Sequence, residues 1–145
     1  MPTPAETAVS VFDQSYNCAQ SVFSPFAAQF GLPGRTALKL ASPFGGGMAR
    51  RGEVCGAVTG GLLVLGLARG ADTPAGKEEI YRLSQEFMHR FEEKHGALLC
   101  RDLLGCDIST PEGWQEVKRT GKSRNFCPRL VRDAAEIVQA LLENA

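Results

Sequence analysis

Four cysteines lying far apart in the chain, Cys18, Cys55, Cys100 and Cys127, each stand where a helical pattern begins. This placement constrains the fold more than any other feature, because sulfurs so distant in sequence share a site only if the tertiary fold gathers their helix starts. A helix N-terminus presents unpaired N–H groups and the positive end of the macrodipole, and both favour a thiolate over a thiol. Cys18 follows Tyr16-Asn17 and opens an apolar stretch running to Phe30, while Cys55 falls in the first turn of Val54–Leu67. Cys100 precedes Arg101-Asp102-Leu103-Leu104, and Cys127 stands directly before Pro128 and the run Leu130–Leu142. Proline at the first helical position is a favoured start, so the final helix is expected to open at Cys127-Pro128.

The remaining segments also read as helices, and no segment shows the alternation of a half-buried strand. Thr3-Pro4 begins a first helix carrying Ala8, Val11, Phe12 and Tyr16. The Cys18 helix places Val22, Phe23, Phe26 and Phe30 on one face, and Pro25 predicts a kink or break at Ser24. A short helix over Thr36–Ala41 precedes the loop Ser42–Met48. Asp72-Thr73-Pro74 starts a helix with Ile80, Leu83, Phe87 and Phe91 as its core stripe, ending near His95-Gly96. Pro111-Glu112 opens a helix bearing Trp114 and Val117, and the basic stretch Arg119–Asn125 is expected to be a mobile loop. The expectation is an all-α, single-domain bundle of about six to eight helices covering residues 1–145 with cysteines at helix N-termini.

Composition narrows the function classes. Sixteen basic residues balance sixteen acidic ones, so no global field attracts nucleic acid or an anionic membrane. The longest apolar run, Leu62–Ala68, is far too short to span a bilayer, which predicts no membrane insertion. Met1-Pro2-Thr3-Pro4-Ala5-Glu6 lacks the basic and apolar regions of a secretory signal, so a cytoplasmic location is expected. Five cysteines exceed what packing needs, and the odd number disfavours a simple disulfide framework. No CxxC or CxxCH occurs, against a zinc ribbon, a thioredoxin-type motif and covalent haem.

Cys55-Gly56-Ala57-Val58-Thr59-Gly60 reads CGAxxG, preceded by Phe44-Gly45-Gly46-Gly47-Met48 and Gly52-Glu53. With Asn17-Cys18-Ala19 upstream and Cys100-Arg101-Asp102-Leu103-Leu104-Gly105 and Cys127-Pro128 downstream, this ordered set resembles the C_GCAxxG_C_C family of redox-active proteins over nearly the whole chain. The resemblance implies that Cys18, Cys55, Cys100 and Cys127 are the family cysteines and leaves Cys106 outside the pattern. Split-Soret cytochromes contain a domain that is similar and is associated with an iron–sulfur centre, an analogy that this chain, having no haem motif, does not extend.

Three readings of the cysteines follow. In the first, the four ligate an iron–sulfur or related metal centre for electron transfer, with helix-start N–H groups stabilising the anionic sulfurs. In the second, the protein holds no cofactor, and Cys18 and Cys55 act as redox thiols in dithiol/disulfide chemistry or oxidant sensing. In the third, the cysteines only pack, within a helical binding module; packing is the preferred reading for Cys106.

Other residues suit plainer roles. Gly45, Gly46 and Gly47, with Arg50 and Arg51 nearby, suit an anion-binding nest, but a tight helix connection walling the Cys55 site is favoured. Gly56 and Gly60 let another backbone approach closely, within the chain or in a second subunit as a homo-oligomer. His89 and His95 lie six apart and share no helix face as metal ligands would. Glu53 is expected to cap the Cys55 helix rather than take a thiol proton. Lys118, Arg119, Lys122 and Arg124 form a solvated patch able to dock an acidic redox partner protein.

Overall fold

A computed structural model describes residues 1–144. The described residues form eight α-helices: α1 (Pro4–Asp13), α2 (Cys18–Ala27), α3 (Gly34–Ala41), α4 (Gly56–Arg69), α5 (Lys77–His95), α6 (Cys100–Leu104), α7 (Pro111–Thr120) and α8 (Lys122–Asn144). No strand occurs among them beyond one isolated bridge between Val54 and Leu99. The fold is all-α.

Helix starts follow the local chemistry. Thr3 caps α1 and exchanges side-chain hydrogen bonds with Glu6, a capping box completed by Pro4 at the first helical position. Asn17 and Gln20 form the same reciprocal pair at the start of α2. Gly96, Gly105 and Gly121 close α5, α6 and α7 in the left-handed conformation that glycine adopts without a Cβ penalty.

Packing centres on α2, α4 and α8. α2 lies against α1, α3, α4 and α8, and α5 packs on both α4 and α8. The core cluster holds Val22, Phe26, Val58, Val64, Phe87, Phe91, Val131 and Val138, all essentially inaccessible. Gly61 leaves room for the Phe87 ring where α4 meets α5. Among the described residues no helix is long and apolar enough to cross a membrane.

Several boundaries differ from expectation. The last helix begins at Lys122, so Cys127 is not at a helix start and Pro128 lies inside α8. The basic stretch Arg119–Asn125 is therefore the end of α7, a left-handed Gly121 and the first turn of α8, rather than a loop. α2 continues through Pro25 without a break at Ser24 and ends at Ala27, leaving Phe30 in a 3₁₀ turn and 37% exposed. α4 starts after Cys55, which is its N-cap, because the bridge holds Val54 extended.

Candidate functional site

Three local devices place the four cysteines. Cys18 follows the Asn17 cap, and the Asn17 amide also donates to the Ser42 carbonyl oxygen at 3.0 Å. Gln20 reaches the Leu38 carbonyl oxygen at 3.0 Å, so the start of α2 is tied to the end of α3 at two points. Cys55 and Cys100 are held side by side by backbone pairing. The Cys55 N–H donates to Leu98 O at 2.8 Å, the Cys100 N–H to Glu53 O at 2.6 Å, and the Arg101 N–H to Gly52 O at 3.1 Å. Cys127 projects from the second turn of α8, where it is buried.

Glycines set the approach of these elements. A Cβ on Gly56 would lie 3.1 Å from Cys18 Cβ and 3.0 Å from the Ala19 nitrogen, and one on Gly60 would lie 2.7 Å from Ala19 O. The bare backbone of α4 thus meets the first turn of α2 and brings Cys18 beside Cys55. The Gly56/Gly60 face is used inside the chain, so it does not serve as a subunit contact.

The connection from α3 to α4 contains a left-handed turn. Gly46, Gly47, Met48, Ala49 and Arg50 have consecutive φ values of 63°, 67°, 66°, 52° and 62°. Left-handed backbone is costly for residues with a Cβ and clusters where surrounding structure over-determines it. Here the turn is closed by backbone hydrogen bonds from Ala49 N–H to Pro43 O (2.7 Å), Arg50 N–H to Gly45 O (3.0 Å) and Glu53 N–H to Gly47 O (2.9 Å). The amides of residues 48 to 53 all donate to carbonyls, so the turn is satisfied by its own backbone. Gly47 sits where a Cβ would come within 2.7 Å of Cys100 Cβ.

All four cysteines line one cavity of about 1200 Å³, together with Gly45, Gly46, Gly47 and Gly56. Three of the sulfurs affect one another's protonation. Hydrogen bonding to Cys127 and Cys55, then burial, holds the Cys18 thiol well above the usual cysteine range. The same contacts act oppositely on its partners. The Cys18 hydrogen bond, against the opposing effect of burial, lowers Cys55, and the Ala57 and Val58 amides help. These amides favour the thiolate without a side-chain cap bond of the kind made by Thr3, Asn17 and Thr110. Cys127 is lowered by the Cys18 hydrogen bond, by Ser123 and by the Lys122 charge, again against burial. Cys18 therefore keeps a proton and shares it between two sulfurs biased toward thiolate. Cys100 stays a thiol, pushed up to about 12 by burial and by the charges of Cys55, Cys127 and Cys106.

Among the described residues no group of three or more His, Cys, Asp or Glu is arranged so that it could hold a metal ion. Cys18, Cys55 and Cys127 influence one another, while Cys100 lines the same cavity and is itself raised by the charges of Cys55 and Cys127. The donor set is all sulfur, and the space beside it is large.

Residues outside the cysteine set divide clearly. Cys106 is absent from this cavity, and its sulfur approaches Gly113 O at 3.7 Å. His89 faces Glu93, and His95 Nε2 lies 2.9 Å from Asp133 Oδ2, joining α5 to α8. That pair meets the distance of an ion pair although its geometry falls short of a formal hydrogen bond. Glu53 does not cap α4; its carboxylate lies 3.6 Å from Arg51 Nε. The basic patch splits, with Lys118 and Arg124 lining the cysteine cavity and Arg119 paired to Glu116 outside it. Sequence reasoning missed the stacking of Arg50 over the Trp114 ring, 4.1 Å from its centroid. Two residues 64 positions apart gave no local signal of that contact.

A family model described as "Putative redox-active protein (C_GCAxxG_C_C)" matches residues 16–141. No curated protein matches the chain, and no solved structure does.

Proposed function

This chain belongs to the C_GCAxxG_C_C family, and from that premise we propose that it is an electron-transfer protein whose cysteines ligate an iron–sulfur or related thiolate-bound centre. The observation that carries this reading is the convergence of Cys18, Cys100 and Cys127 from α2, α6 and α8, and of Cys55 from the N-cap of α4, on one cavity. Such a centre, when bound, supplies one-electron chemistry at a potential set by its charge, the hydrogen bonds to its sulfurs and its exposure. The chain's own residues supply the rest. Cys55 and Cys127 are already biased toward the thiolate form that ligation requires, and Ala57, Val58 and Ser123 direct donors at those sulfurs. Loading would displace protons from Cys18 and Cys100, so it should proceed more readily at alkaline pH. All five cysteines are free thiols, which accords with a reducing compartment, and the cytoplasm is the proposed location.

A second reading rests on the direct contact of Cys18 with Cys55 and Cys127. In it the Cys18 thiol and the Cys55 thiolate become a disulfide, releasing one proton and two electrons to an external disulfide or peroxide. The two readings separate on protein purified without oxygen. Iron and acid-labile sulfide with visible absorbance, both lost in Cys55→Ser, support the cluster. Metal-free protein that resists reconstitution, and whose thiol count falls by two with oxidant, supports the disulfide instead.

A further inference from the structure

The mouth of the cysteine cavity carries an excess of positive charge. Arg50, Lys118 and Arg124 line it, against a single carboxylate, Asp13. Among the described residues none of these three cations forms an ion pair, whereas Arg51, Arg82, Arg90, Arg119 and Arg132 each do. Two of them converge on one ring. The Arg50 guanidinium lies 4.1 Å from the Trp114 centroid and Lys118 Nζ 5.3 Å from it. Cation–π contact of this kind holds side chains in place while leaving their N–H groups available. Arg50 is further fixed by its backbone, the last residue of the left-handed turn. Holding like charges together without counter-charge is unfavourable unless a ligand completes the arrangement.

We propose that Arg50 and Lys118, held on the Trp114 ring, together with Arg124, bind a small dianion at the mouth of the cysteine cavity, either an oxyanion or a dicarboxylate. The cations surround a concavity rather than a flat face, so the ligand is a small molecule seated within reach of the sulfurs. Arginine contributes a planar fork of donors suited to oxyanion and carboxylate groups alike. The binding step does not require that the cysteines hold a cluster. As a substrate site, by contrast, it rests on the redox reading above.

The chain contains one tryptophan, so Trp114 fluorescence reports on the site directly. Sulfate and succinate are titrated separately into protein purified without oxygen, with chloride at matched ionic strength as the reference, and calorimetry gives the affinity independently. A saturable change with sulfate, succinate or both, beyond that with chloride, is expected, and the stronger of the two identifies the ligand type. Arg50→Gly should weaken binding by roughly tenfold or more, the value of a charge-assisted hydrogen bond. Glycine suits φ 62°, so this variant removes the cation without straining the turn. Lys118→Ala should also weaken binding. A response no greater than that to chloride overturns the proposal, as does unchanged affinity in both variants. Neither result bears on iron and sulfide content, so failure here is distinct from failure of the redox reading.

Discussion

Gly60 presses its bare Cα against the backbone of Ala19, so closely that a Cβ there would lie 2.7 Å from the Ala19 carbonyl oxygen. One turn earlier, Gly56 does the same beside Cys18. The separation of α2 from α4, and with it the contact of Cys18 with Cys55, depends on these missing side chains.

Two glycines of the same helix should therefore respond in opposite directions. Gly60→Ala is expected to destabilise by about 1–3 kcal/mol, because overpacking outweighs the better helix propensity of alanine. Gly66 is exposed with nothing near a built Cβ, so Gly66→Ala should stabilise by about 0.5–1 kcal/mol. Denaturant unfolding of both variants checks the pair, and equal signs would refute the packing argument.

The left-handed turn gives a second contrast. Gly47→Ala combines a positive φ with a clash against Cys100 and Glu53, for an expected loss of about 3 kcal/mol. Ala49 is exposed at φ 52°, so Ala49→Gly should relieve strain and gain up to about 1 kcal/mol after the entropic cost of glycine. Thermal unfolding of the reduced protein measures both, and a gain in Gly47→Ala would show that the turn tolerates a side chain.

Alkaline pH should weaken the reduced, metal-free fold through Cys100. Its folded value lies at about 12 against an ordinary 9.0, so the neutral thiol is favoured in the fold. The stability this contributes is complete below pH 9 and is lost as pH rises toward 12. Cys18, also raised, acts in the same direction, while Cys55 and Cys127 act in the opposite one, their contribution being present above the ordinary cysteine value. Cys100→Ala should therefore lose less stability than the parent over that range in parallel denaturant titrations. Parallel curves would remove Cys100 from the account.

Much of this architecture was legible because its signals are local. Pro4, Pro111, Gly96 and Gly105 mark helix ends through backbone chemistry that needs no tertiary context, whereas the Gly121 cap falls inside a stretch expected to be a loop. Cys127 was misplaced for a related reason. Pro128 resembles a first helical residue, yet α8 starts at Lys122 after the Gly121 cap and carries the proline within it. The pairing of residues 52–55 with 98–101 was invisible, since a single bridge produces no alternating pattern. The stacking of Arg50 on Trp114 depends on a turn whose three non-glycine left-handed residues no propensity would suggest.

The central claim, that Cys18, Cys55, Cys100 and Cys127 act as one redox unit and Cys106 does not, is tested most directly by site-resolved alkylation. Protein purified without oxygen is reconstituted with iron and sulfide, treated with iodoacetamide under native conditions, and mapped by mass spectrometry beside the metal-free form. The expected result is joint protection of the four cysteines on loading and continued labelling of Cys106, which is partly exposed in the metal-free form. Protection that leaves out any of the four, or that includes Cys106 in its place, would contradict the account.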